Sequence, residues 1–161
     1  GQSYHHPGAL IMGRLSALVV SALASLMLSG CITTRPAGSF VAPGISPADA
    51  TLLAKDAAVS LTTVLPPVKS TLLIQRPAGY GDDLVSPAFM AALRAAGYGV
   101  IEAGAEGSQV VGISVRYLAS PLDDGMLLRL QYGSTEAARF YPRTATGAVG
   151  IGAPFVVRES Q

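Results

Sequence analysis

The 161-residue chain sets eleven Lys and Arg against ten Asp and Glu, a net charge of +1, which leaves no basic excess for nucleic acid. Its single cysteine excludes an intramolecular disulfide, and without tryptophan the core must be aliphatic, built from Leu, Val and Ile with a few Phe and Tyr. The only two histidines, His5 and His6, precede Met12.

Residues 1–11, GQSYHHPGALI, fit no part of a targeting signal and are read as extraneous or upstream residues, with Met12 as the start. From Met12 the chain reads MGRLSALVVSALASLMLSGC: one basic residue, Arg14, then an uncharged run from Leu15 to Leu28 that ends in small residues. A bilayer-spanning helix needs roughly 20 apolar residues, so residues 12–30 read as a secretory signal peptide and not a span. The segment LSGC, Leu28 to Cys31, resembles the lipobox of bacterial lipoproteins, in which the cysteine thiol receives diacylglycerol and the new amino terminus is acylated. The competing reading is a plain signal or apolar helix with an inert cysteine. Ile32 follows Cys31 in place of the aspartate that resembles an inner-membrane retention signal, so the expected location is the periplasmic face of the outer membrane. Two or three acyl chains at about 0.8 kcal/mol per buried methylene give a stable anchor.

Removing the first 30 of 161 residues leaves 131, enough for one domain and a tether. Without Arg14 the mature part carries ten basic and ten acidic residues, a net charge of zero. Residues 31–45 form the acylated cysteine and an extended tether rich in Thr, Gly, Pro and Ala. Inside it Phe40-Val41 is an apolar pair that either packs on the domain edge or docks on a partner by strand addition or in a groove.

The domain, residues 46–161, opens with Ser46-Pro47-Ala48-Asp49, a cap serine, a proline at the first helical position and an acid three residues after the cap. Ala50, Leu53, Ala54, Ala57, Leu61 and Val64 recur at spacings of three and four, which predicts an amphipathic helix stopped by Pro66-Pro67. STLLIQR, residues 70–76, reads as a buried strand. Ser86-Pro87 repeats the cap signal, and FMAALRAAGY predicts a second helix with Phe89, Leu93 and Ala96 on one face and Gly97 as its stop. A strand over 98–102 follows, and so tight a strand, helix, strand order favours parallel pairing.

From Val111 the period changes to two. Val111, Ile113, Val115 and Tyr117 alternate with polar residues, Asp123-Asp124-Gly125 marks a hairpin turn, and Met126, Leu128, Leu130 and Tyr132 continue the alternation. A turn at Gly133-Ser134 leads to a strand at 137–141 and a last one at 155–158. The expectation is a single two-layer α+β domain, two helices on one face of a mainly antiparallel sheet, in the order α-β-α-β-β-β-β with four or five strands after the second helix.

Candidates for chemistry are few. A mature chain without histidine has no Ser-His-Asp or Cys-His mechanism and no His-ligated metal, and its only thiol is expected to carry lipid. Asp82-Asp83 and Asp123-Asp124 could serve a hydrolase or bind calcium if they converged, yet each lies next to a turn where aspartate is favoured for geometry. Gly79-Tyr80-Gly81 lacks a phosphate-loop pattern. No catalytic residue, metal or cofactor is therefore expected, only the covalent lipid on Cys31. Arg116, Arg129, Arg139 and Arg158 fall on predicted strands out of phase with the apolar residues. They form either a solvated stripe with cross-strand pairs or an electrostatic contact for an acidic partner or peptidoglycan.

Taken together, the lipobox, the tether, LPPVKSTLLIQ (residues 65–75), FMAALRAAGYGVIE (89–102), VRYLASPLDDGMLLRLQYG (115–133) and a closing FVVRES resemble the TrbH family of conjugal transfer lipoproteins. The resemblance covers nearly the whole mature chain through helix, strand and aromatic positions, without a catalytic signature. It implies a non-enzymatic structural or assembly component of a conjugative type IV secretion apparatus, held to the outer membrane by its acyl anchor. Implied partners are outer-membrane core proteins of that complex, met as multiple copies in a ring, with no direct contact to nucleic acid. Positions carried over are structural: Cys31 for the anchor, Phe89, Leu93, Gly97 and Tyr98 for the second helix and its exit, and Tyr117, Arg139 and Tyr141 on the strands. The alternative is an envelope lipoprotein that activates or chaperones a periplasmic enzyme or assembly machine unrelated to conjugation.

Overall fold

A proline at the first turn and a serine hydroxyl just outside it start the first helix. In the computed structural model, which describes residues 1–3, 38–78, 82–104 and 111–159, Ser46 Oγ accepts from the Asp49 amide at 3.1 Å and α1 runs Pro47–Thr62. Its buried stripe is Ala50, Leu53, Ala54, Ala57, Ala58 and Leu61. The helix ends four residues before Pro66, and Val64, expected on that stripe, is 52% exposed. A single 3-10 turn, Pro67–Lys69, leads into β2, Thr71–Ile74, whose Leu72 and Ile74 are fully buried.

The second helix, α2, spans Val85–Ala95 and is capped differently from expectation. Asp83 Oδ1 accepts from the amides of Val85 (2.8 Å) and Ser86 (3.1 Å), so the aspartate takes the role expected of Ser86. The Ser86 hydroxyl is instead buried and hydrogen-bonded to Asp83 and to the Tyr117 hydroxyl. Gly97, with φ +100°, ends the helix in the left-handed region that glycine adopts without strain. Strand β3, Gly99–Glu102, follows and pairs parallel with β2, as the tight strand, helix, strand order predicts.

Strands β4 (Ile113–Leu122), β5 (Gly125–Tyr132), β6 (Thr135–Pro142) and β7 (Val156–Glu159) form an antiparallel meander. The β4–β5 link is the two-residue turn Asp123–Asp124, with Asp123 at φ +48°. Gly125 lies inside β5 and is required for close approach: a Cβ there would overlap the Tyr141 carbonyl oxygen and reach 2.6 Å from Phe140 Cζ.

Among the described residues the sheet has seven strands, six of them in the order β3-β2-β4-β5-β6-β7 and one off that path, and β2 pairs parallel with the first half of β4. The second half of β4 receives β1, Phe40–Val41, in parallel, with Phe40 opposite Leu118 and Val41 opposite Ala119. This short strand lies inside the stretch read as tether. Ser39 Oγ accepts from the Tyr117 amide at 2.9 Å, and the Ala42 amide donates to the Ala119 carbonyl at 2.9 Å. The architecture is the expected α+β arrangement, with β1 added in front and five strands after α2.

Both helices cover one face of the sheet. Leu53, Ala54 and Ala57 of α1 and Val85 and Phe89 of α2 meet Tyr117, Leu128 and Leu130 there. Phe89 and Tyr117 stack edge to face, ring centroids 5.3 Å apart. The opposite face carries no helix of the described residues.

Candidate functional site

The period-two pattern fixes what each face presents. On the helix-facing side of β4 to β6 lie Val115, Tyr117, Ala119, Met126, Leu128, Leu130, Tyr132, Ala137 and Tyr141, all buried. Arg139 shares their phase. It therefore does not join an outward stripe, which corrects the expectation that it alternates with the apolar residues of its strand.

Arg139 reaches α1. Its Nη1 donates to both oxygens of Asp56, at 3.1 and 2.9 Å, and the two side chains are only 14% and 11% exposed. The Tyr141 hydroxyl donates to the same carboxylate at 2.6 Å. Arg139 Nε donates to the Ala153 carbonyl at 2.9 Å, while its guanidinium lies over the rings of Phe155 (5.3 Å) and Tyr141 (5.8 Å). Two turns earlier on α1, buried Asp49 accepts from Arg143 Nη2 at 3.2 Å and from the Val149 amide at 3.4 Å. Two acids seven residues apart on one helix thus clamp two arginines four residues apart along β6 and its exit. Burial and the neighbouring Asp56 push the Tyr141 phenol far above its ordinary value. Burial pushes Tyr117 up to about 12, opposed by its hydrogen bond with Ser86. The clamp was not anticipated from sequence; its signals are the spacing of Asp49 and Asp56 beside the apolar stripe and the phase of Arg139 with Tyr141.

The other expected residues lie on the open face. There Arg116, Gln131, Glu136 and Arg158 form one rung across β4 to β7. The next rung is Leu118, Arg129, Ala138 and Val156, and beyond it come Ser120, Leu127 and Phe140. Arg129 pairs with Glu136. Phe40, 49% exposed, extends the Leu118 rung, whereas Val41 points the other way and packs against the core. Phe140 is 38% exposed and lies over Gly125.

The acidic pairs do not converge. Asp83 is tied through Ser86 to Tyr117, and Asp123 lies six residues further along the β4 hairpin, about 20 Å away at a rise of about 3.3 Å per residue. Among the described residues no group of three or more His, Cys, Asp and Glu is placed to hold a metal ion. A shallow groove of about 730 Å³ beside α1, lined by Leu52, Lys55, Val59 and Ile151 among others, is mostly apolar. Among the described residues no helix is long and apolar enough to cross a membrane. Cys31 and the signal peptide lie outside the described residues.

The sequence model of the family described as conjugal transfer protein TrbH matches residues 34–160. No curated protein and no solved structure matches the chain. The family match takes in every helix and strand described above, the clamp between α1 and β6 and the open face: the chain belongs to the TrbH family of conjugal transfer proteins.

Proposed function

We propose that this protein is a lipid-anchored, non-enzymatic component of the conjugal transfer apparatus, held at the periplasmic face of the outer membrane through acylated Cys31. The observation that carries the reading is the order of parts in one chain: a short uncharged run ending in LSGC, then a TrbH-family domain from residue 34. The domain's buried polar groups support a scaffolding role. Asp49, Asp56, Arg139 and Arg143 are engaged with one another, Ser86 and Tyr117 hydrogen-bond inside the core, and Asp83 caps a helix. The anchor raises the local concentration of the domain, so modest contacts suffice for assembly with core proteins of the complex, in several copies around a ring.

Mass spectrometry of the N-terminus of protein purified from conjugating cells, with fractionation of the two membranes, tests this. Triacylated Cys31 in the outer-membrane fraction is expected. An unmodified Cys31, or recovery in the soluble periplasm, would remove the anchor from the account.

A further inference from the structure

We infer that the open face of the sheet docks an acidic segment of a partner protein, with carboxylates gripped by Arg116 and Arg158 and apolar side chains laid over Leu118, Leu127, Phe140 and Phe40. The inference rests on the assembly role proposed above and specifies the surface that serves it.

The outward residues of β4 to β7 include three cations, Arg116, Arg129 and Arg158, and one acid, Glu136, an excess of two positive charges, whereas the rest of residues 46–161 sets six basic against nine acidic side chains. Glu136 is taken by Arg129. Arg116 and Arg158 have no ion-pair partner among the described residues. Arg116 is half-buried, and its Nε is shielded from solvent with no hydrogen-bond acceptor among the described residues. A buried guanidinium nitrogen without an acceptor is costly, and a carboxylate on the open side would supply one once the Arg116 side chain turns outward to meet it.

The charged rung lies at one end of the face and the apolar residues at the other, so a ligand must be acidic at one end and apolar at the other. Arg116 and Arg158 stand three strand spacings apart, roughly 14 Å at about 4.8 Å per strand, which suits carboxylates on separate turns or strands of a folded segment. An anionic lipid surface offers charge of the same sign, but it presents no fixed acceptor for Arg116 Nε. A second copy docked face to face would bring no further acid to Arg116 and Arg158, since the acid of its own open face is paired with Arg129.

The test uses the full acylated chain in nanodiscs and fluorescein-labelled peptides that tile the periplasmic parts of the other products of the same transfer cluster. At least one acidic, apolar peptide is expected to bind. R116E with R158E should weaken it tenfold or more, the peptide's own Glu→Lys change should restore binding to that variant, and R94E on the exposed side of α2 should leave it unchanged. R116Q, which keeps the length of the side chain, gives a second reading if the double reversal fails to fold. Absence of binding by every peptide would overturn the inference, as would binding indifferent to R116Q and R116E/R158E. With Cys31 acylated, a dye on L118C reports the face directly. Its burial by phosphatidylglycerol nanodiscs without peptide assigns the face to lipid, and its burial on self-association assigns it to a second copy; either overturns the partner assignment while leaving the acylation result intact.

Discussion

Replacing Asp56 by alanine tests the clamp between α1 and β6. The substitution removes the acceptor of Arg139 Nη1 and of the Tyr141 hydroxyl, while Arg139 keeps its bond to the Ala153 carbonyl and its position over two rings. Removing one partner of a buried pair costs about 3–5 kcal/mol, and leaving a buried hydroxyl without an acceptor about 1–3 kcal/mol. Both charged side chains keep a little over a tenth of their surface in water, so the low end applies. Alanine also returns about half a kcal/mol of helix propensity. The net loss is about 3 kcal/mol. The compact unit spans Pro36–Gln161, and an unfolding entropy of about 2.1 cal/mol/K per residue converts the loss into a Tm lower by about 11 °C. Circular dichroism melts of wild type, D56A, R139A and D56A/R139A measure it. The double variant should lose less than the sum of the singles by about 1–2 kcal/mol, because each single leaves the other's partner stranded. A drop below about 3 °C for D56A, or additive losses, would refute the reasoning.

Raising the pH should destabilise the fold only in the alkaline range. Burial raises the folded pKa of Tyr117 to about 12 and lifts Tyr141, Tyr98 and Tyr132 as well, against about 10 for unfolded tyrosine, so the folded state retains protons that the unfolded state has lost. Stability from these phenols is complete below pH 10 and declines between pH 10 and 12. Absorbance at 295 nm should show tyrosinate appearing together with loss of circular dichroism, and ionisation of all tyrosines near pH 10 in a still-folded protein would contradict the burial. G125A should cost about 2–3 kcal/mol in urea unfolding, since the new methyl meets the backbone carbonyl of Tyr141 and not only the movable Phe140 ring; an unchanged midpoint would show that the strands can part. F89A, which empties the 2%-exposed site against Tyr117, should cost about 3–5 kcal/mol by the same assay, and a loss under 1 kcal/mol would mean that this part of the core collapses freely.

Local signals were legible in the sequence. Ser46-Pro47 starts α1, Gly97 ends α2, Asp123–Asp124 turns the hairpin, and the change from a period near 3.6 to a period of two separates the helical half from the meander. What escaped were pairings over long separations. By residue type Arg139 belongs on the outward side, because a charge on a strand is ordinarily solvated, and its inward position is made favourable by Asp56, 83 residues away, with the Ala153 carbonyl and two rings. Ser86 has the sequence context of a cap but faces the core, since Tyr117 and Asp83 offer its hydroxyl partners. The two-residue strand β1 has no period to detect; it exists because β4 outruns β2 and leaves its second half open for pairing. Of the candidate site, Arg116, Arg129 and Phe40 were recognisable by type and phase. Their assembly into one face required the register of four strands.

The central claim is that this domain acts in conjugal transfer from a lipid anchor. Plasmid transfer frequency in a donor lacking the gene, complemented with wild type or with C31S at matched protein levels, tests it most directly. The account predicts that wild type restores transfer and that C31S lowers it at least tenfold while the domain remains folded. Equal restoration by both would contradict the anchor, and no loss of transfer on deleting the gene would contradict the role itself.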